Sequence, residues 1–257
     1  MIDLSGKVFL VAGATSGLGA ATARKLASLG ARVSLAGRRQ DRGDGLVREI
    51  EQSGGAALFV RTDVKLADEV DAMVARTVEH FGKLDGAVNN AGISNSVMTP
   101  AADITDEDWH EMIAVNLTSV WRCMKAEIPA LLANGTGSIV NVSSVYGLIG
   151  SEIGHAGYSA AKFGVIGLTE SAAIDYGQSG LRINAICPGY CHSEMVDPYV
   201  ESEPELMANI VEHHSAMNRL GEAEEIADAI AWLLSSQASF VNGASLPVNG
   251  GRTAKLY

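Results

Sequence analysis

An α/β fold, doubly wound in one domain with a parallel sheet of about seven strands and helices on both faces, is predicted by three observations. Short apolar runs alternate with longer amphipathic ones along nearly all 257 residues. The short runs are apolar throughout, as expected for strands covered on both sides. The regular alternation also supplies the crossover helices that parallel neighbours require. No repeat, low-complexity tract or composition break marks a second domain, so residues 1–257 read as one.

Val8-Phe9-Leu10-Val11-Ala12 reads as a buried first strand, and Leu18 to Leu29 as a helix closed by Gly30. Arg32 to Ala36 forms the second strand, and Arg42 to Gln52 a polar-faced helix ended by Gly54-Gly55. Ala57 to Val60 is the third strand, Ala67 to Phe81 the third helix, and Leu84 to Val88 the fourth strand. One long helix is expected from Thr105 to Leu132, with acids at its start where a helix N-terminus favours them. Ser138 to Val142, the helix Gly157 to Tyr176, and Leu181 to Cys187 follow. Helices over about 203–217 and 223–234 and a strand over 245–248 complete the chain. The one irregular stretch, Pro188 to Ser202, reads as the start of a substrate lid spanning about 188–217.

Composition narrows the function. With 47% hydrophobic residues the chain can bury a sizeable core. A net charge of −11 and a pI near 5.0 argue against nucleic acid or an anionic membrane as partner. No apolar stretch reaches the ~20 residues of a membrane span. The start, Met1 to Lys7, lacks the basic end and apolar run of a signal peptide. Cys123, Cys187 and Cys191 cannot all pair and show no CxxC spacing, so reduced thiols in the cytoplasm are expected. His213 and His214 point ~100° apart on a helix with no further ligands clustered, so no metal is expected.

Gly13-Ala14-Thr15-Ser16-Gly17-Leu18-Gly19 joins the first strand to its helix. Glycines there permit a tight turn and bring backbone N–H groups to a diphosphate, with the helix N-terminus adding positive potential. The spacing is G-x3-G-x-G rather than the commoner G-x-G-x-x-G, and its place at the first strand–helix turn points to a nucleotide. NAD-binding chains usually carry an acid at the end of the second strand. Here Gly37 stands there, followed by Arg38 and Arg39. Guanidinium groups without the acid favour the 2′-phosphate of NADP, with NAD as the alternative.

Tyr158 and Lys162 lie four residues apart at the start of a helix, on one face. A phenol near pKa 10 handles protons poorly at neutral pH, and a neighbouring cation favours its ionised form. Lowering it by about 3 units takes roughly 4 kcal/mol, which asks for a desolvated site and a cationic nicotinamide beside Lys162. Ser144 ends the fifth strand, at the edge where open α/β sheets bind ligands.

Together these residues resemble the short-chain dehydrogenases/reductases, single-domain branch, over essentially the whole chain. The resemblance rests on the Gly13/Gly17/Gly19 loop, Asn89-Asn90-Ala91-Gly92, Asn116, Ser144, Tyr158/Lys162 and Pro188-Gly189. It implies a Rossmann fold and hydride transfer between a nicotinamide and a secondary alcohol or carbonyl of sugar, polyol, steroid or ketone type. Tyr158 would be the acid/base, Lys162 would tune it and bind the nicotinamide ribose, Ser144 would hold the substrate oxygen, and Asn116 would position a relay water. The loop residues Ser16 and Leu18 would line the diphosphate, Asp63 and Val64 the adenine, and Asn90, Ala91 and Gly92 the cleft. Pro188, Gly189, Ser193 and the backbone of Cys191 would cradle the nicotinamide end. A homotetramer, or failing that a dimer, is also implied, fed by the apolar residues Trp109, Ile113, Leu117, Val120 and Trp121.

Departures from the family pattern are few. Ala12 replaces a threonine, Ser193 replaces a threonine, Cys191 replaces a branched aliphatic, and Ser144 lies 14 residues before Tyr158 where 13 is usual. Ser143 is the competing serine, and the Ser-Val-x-Gly context favours Ser144. The substrate pocket is expected from Ser144, Val145, Tyr146, Glu152, Ile153, His155, Tyr190, His192 and Met195. The rival readings are a non-catalytic cofactor-binding sensor and an epimerase of the longer related branch.

Overall fold

Residues 2–94, 99–151 and 153–254 are described by the computed structural model of the chain. The chain runs β1 (Val8–Ala12), α1 (Gly17–Ser28), β2 (Arg32–Gly37), α2 (Gln40–Gln52), β3 (Ala56–Arg61), α3 (Ala67–Phe81) and β4 (Gly86–Asn89). It continues through α4 (Asp106–Ile113), α5 (Ser119–Ala133), β5 (Gly137–Val142), α6 (Ala156–Gly177) and β6 (Leu181–Pro188). The last elements are α7 (Asp197–Ser202), α8 (Pro204–His214), α9 (Ala223–Leu234) and β7 (Ser245–Val248). All strands are parallel in the order β3-β2-β1-β4-β5-β6-β7. The order reverses between β1 and β4, which opens a crevice at their carboxyl ends.

Strand residues alternate between two buried faces. Phe9 and Val11 join a cluster with Leu26 of α1, Leu46 of α2 and Ile226 and Ile230 of α9. Leu10 and Ala12 face the other way, onto Met73 of α3, Met124 of α5 and Val165 of α6. Neither face of β1 meets water, which is why its sequence shows no polar alternation. Each fully buried Phe or Leu side chain contributes about 1.5–3 kcal/mol. Asp85, just before β4, accepts hydrogen bonds from Val8 N (2.9 Å) and Lys7 Nζ (3.1 Å), pinning the strand starts together.

Four expectations change. The long helix over 105–132 is two α-helices joined by a π-helical turn at Ala114–Thr118, which carries Asn116. Apolar periodicity continues across that turn, so it does not show in the pattern. Thr105 caps α4 by accepting from Asp108 N at 3.1 Å. The stretch 188–202 is not wholly irregular, because α7 occupies its end. The following helix stops at His214, ahead of the expected Met217, where Ser215 turns extended. Strand four begins at Gly86, since Leu84 and Asp85 serve as its buried lead-in.

Among the described residues no helix is long and apolar enough to cross a membrane. Nor do three or more His, Cys, Asp or Glu side chains among them gather as a metal site.

Candidate active site

A cleft of about 920 Å³ lies along the carboxyl edge of the sheet. Its diphosphate end is built by the turn after β1. Gly13 holds φ +82°, and a Cβ there would stand 2.6 Å from Ala91 N. Gly17 opens α1 at φ +48°, and no acidic residue occupies that helix's first turn. Ala12 brings no hydroxyl, yet the turn is tied: Asn90 Nδ2 donates to Gly13 O at 2.9 Å and Asn90 N to Ala12 O at 3.0 Å. Gly19 does not line the cleft. A Cβ there would lie 2.0 Å from Gly13 O, so its role is close packing of helix on turn.

At the adenosine end Gly37, Arg38, Arg39, Thr62, Asp63 and Val64 all line the cleft. A Cβ on Gly37 would stand 2.7 Å from Thr15 Cγ2, so an acidic side chain has no room unless Thr15 turns away. Arg39 Nη2 donates to Ser16 Oγ (2.6 Å) and Thr15 Oγ1 (3.2 Å). Arg38 is exposed and has no ion-pair partner among the described residues. Thr15 was missed by sequence reading; its position inside the glycine loop was the available signal.

The centre brings together Asn116, Ser144, Tyr158 and Lys162. Ser144 lies two residues beyond β5, and its hydroxyl hydrogen-bonds the Tyr158 phenol as well as accepting from Tyr146 N at 3.2 Å. Ser143 instead donates to Lys162 O at 2.8 Å, a structural bond that fixes α6 against β5. Lys162 is buried, and its Nζ donates to Val142 O at 2.9 Å. Asn116 is fully buried in the π turn, where its Oδ1 accepts from Ile93 N at 3.0 Å. A π turn inserts one residue into the helix and re-aims the side chains beside it. Gly92 allows the approach of these groups: a Cβ there would sit 2.9 Å from Asn116 Oδ1 and 3.6 Å from Lys162 Nζ.

The expected depression of Tyr158 is not present in the protein alone. Burial pushes its phenol up to about 12; the Ser144 hydrogen bond acts against this, and Tyr190 and Cys191 add to it. Burial likewise pulls the Lys162 ammonium down to about 8. Desolvation is the largest cause of both shifts.

The substrate end is a row of rings. Tyr146 stands edge-on to both His155 (6.0 Å) and Tyr190 (6.2 Å), His155 lies 6.0 Å from Tyr158, and the Tyr146 and Tyr190 hydroxyls are 3.0 Å apart. Val145, Ile153 and Met195 line this end, as expected, and Met207 and Ile210 of α8 join them. His192 does not line it. Its Nδ1 is engaged by Asp197 Oδ1 at 2.8 Å, because the turn over 194–196, closed by Asp197 N donating to Ser193 O at 2.8 Å, brings the first residue of α7 back toward it. Glu152 lies outside the described residues.

Known proteins of this fold are plentiful. A family model described as enoyl-(acyl carrier protein) reductase matches residues 13–253. The chain belongs to the short-chain dehydrogenase/reductase family. The 2,5-dichloro-2,5-cyclohexadiene-1,4-diol dehydrogenase of Sphingobium indicum is 40% identical over 99% of this chain and 100% of its own. The cis-4-hydroxycyclohexanecarboxylate dehydrogenase of Sinomonas cyclohexanicum is 43% identical over 96% of this chain and 97% of its own. The solved structure of levodione reductase superposes with a TM-score of 0.93 at 34% identity, over 98% of this chain and 100% of that one. The protein is thus a nicotinamide-dependent oxidoreductase acting on CH–OH groups or the corresponding carbonyls.

Proposed function

We propose that the protein interconverts a secondary alcohol on a six-membered carbon ring and its ketone, with NADP(H) as cofactor and Tyr158 as general acid/base. The observation that carries this reading is the convergence of Ser144, Tyr158, Lys162 and Asn116 beside a row of aromatic rings in one cleft. A nicotinamide held in this cleft beside Lys162 would supply or accept the hydride. Ser144 orients the substrate oxygen, and Tyr158 gives it a proton in reduction or takes one in oxidation. Lys162 favours the ionised phenol and holds the ribose, and Asn116 orients the relay behind it. A sensor that never turns over has no use for this set, so the non-catalytic alternative has nothing in its favour.

The apolar ring-lined wall supports a carbocyclic substrate over a sugar, since His192 is engaged elsewhere and Met207 and Ile210 add apolar surface. Two relatives named for cyclohexane or cyclohexadiene alcohols point the same way. NADP is supported by the crowding at Gly37 and by Arg38 and Arg39 at the adenosine end. Exposed Trp109, Trp121 and Phe163 on α4, α5 and α6 support a homotetramer or dimer. Three free, buried cysteines support a reducing, cytoplasmic setting.

The test follows reduced-nicotinamide absorbance with cyclohexanol, cyclohexane-diols, a hexose and a steroid alcohol, each with NADP and with NAD. Turnover should be fastest for the carbocyclic alcohols with NADP. A hexose preference would overturn the carbocyclic substrate class, and tighter NAD binding would overturn the cofactor.

A further inference from the structure

Glu194 sits in the loop after β6, immediately beyond Ser193, yet its carboxylate reaches the far end of the cleft. Its Oε2 accepts from Arg39 Nη1 at 2.8 Å, and its Oε1 pairs with Arg42 of α2. The loop also crosses the glycine turn, because a Cβ on Gly17 would come within 3.4 Å of Ser193 Cβ. One carboxylate therefore straps the lid to the arginines that begin α2. The same Arg39 bonds the Thr15 and Ser16 hydroxyls, so a cation and two hydroxyls converge on one point. That set matches a phosphate dianion, which takes two charge-assisted bonds from a guanidinium.

We propose that Glu194 is a resident competitor for the 2′-phosphate of the cofactor. It occupies the Arg39 and Arg42 guanidiniums until a phosphate displaces it, and its release frees the lid loop from the adenosine end. The proposal rests on the NADP reading above, and it predicts that the carboxylate weakens binding of the 2′-phosphate alone. Glu194, Arg39 and Arg42 are all about half exposed, so each pairing is modest and two together change affinity by several-fold.

The experiment measures calorimetric binding of adenosine 2′,5′-bisphosphate and adenosine 5′-monophosphate, which differ only in the 2′-phosphate. Wild type is compared with Glu194→Gln and with Glu203→Gln, which removes the same charge from the same cleft. Glu194→Gln should tighten the bisphosphate roughly three- to tenfold and leave the monophosphate within twofold. Glu203→Gln should move neither by more than twofold. Equal shifts for both nucleotides, no shift, or an equal gain from Glu203→Gln would overturn the competitor. If the wild type prefers the monophosphate, the NADP reading falls. A bisphosphate-specific gain in Glu194→Gln would then mark Glu194 as a group that excludes a 2′-phosphate, which overturns a competitor displaced by the cofactor.

Discussion

Lys162 Nζ lies 5.5 Å from the centre of the Tyr158 ring while its hydrogen bond goes to Val142 O at 2.9 Å. The ammonium is thus anchored to β5 and held beside the phenol. With burial raising Tyr158 to about 12, the lysine alone leaves the tyrosine protonated at neutral pH. Ultraviolet titration of the protein alone should show no Tyr158 phenolate near neutrality, judged against Tyr158→Phe. Adding oxidised cofactor should bring the titration down, because a second cation joins the site. Tyr158→Phe should lower kcat by at least about a thousandfold while cofactor fluorescence titrations stay within a few-fold.

Gly92 and Gly13 should respond differently to alanine. At Gly92 the new Cβ presses on the Asn116 side chain, which can swing, so turnover should drop by about tenfold or more with little loss of Tm. At Gly13 the φ of +82° and the backbone of Ala91 leave nowhere to go. Gly13→Ala should therefore cost roughly 2 kcal/mol or more of stability, read from denaturant unfolding.

Glu127 of α5 is fully buried, accepting from Asn89 Nδ2 at 3.1 Å, and burial lifts its carboxyl to about 8 against the opposing Asn89 bond. In the unfolded chain it titrates near 4.5. Between these values the folded state holds the proton and the unfolded state does not, so this group makes stability fall as pH rises from 4.5 to 8. Glu127→Gln should flatten that part of a Tm-against-pH curve. An unchanged slope would show that Glu127 is ionised in the fold.

Arg38 lines the adenosine end without an ion-pair partner among the described residues. Arg38→Ala should weaken NADPH about tenfold and NADH less than twofold, read by separate fluorescence titrations.

Trp121 of α5 is 47% exposed and Phe163 of α6 46%. Large apolar side chains left exposed can mark a contact surface. Trp121→Glu should lower the sedimentation-derived mass while leaving the far-ultraviolet dichroism unchanged.

Strand and helix order was legible because burial on both faces leaves unbroken apolar runs, and helices such as Ala67–Phe81 and Ala223–Leu234 carry strong one-sided patterns. The positions of Tyr158, Lys162 and Ser144 followed from chain order once the sheet was known. The π turn was hidden, since hydrophobic spacing tolerates one inserted residue between Ile113 and Ser119. His192 looked like a pocket residue because nothing local announces its pairing with Asp197. Glu194 was invisible because its partner Arg39 lies 155 residues away in the chain. The Tyr158 shift depends on how much water the folded cleft excludes, which no motif encodes.

The π turn carrying Asn116 also sets stability against activity. Removing one residue from Ala114–Thr118 would let α4 run into α5 with regular hydrogen bonding, an edit that favours the helix. It would also rotate everything on one side of the cut by about 100°. Asn116 would leave the cleft and its bond from Ile93 N, and Trp109 would turn relative to Trp121. A sturdier helix and the placing of Asn116 in the cleft therefore pull in opposite directions at this one residue.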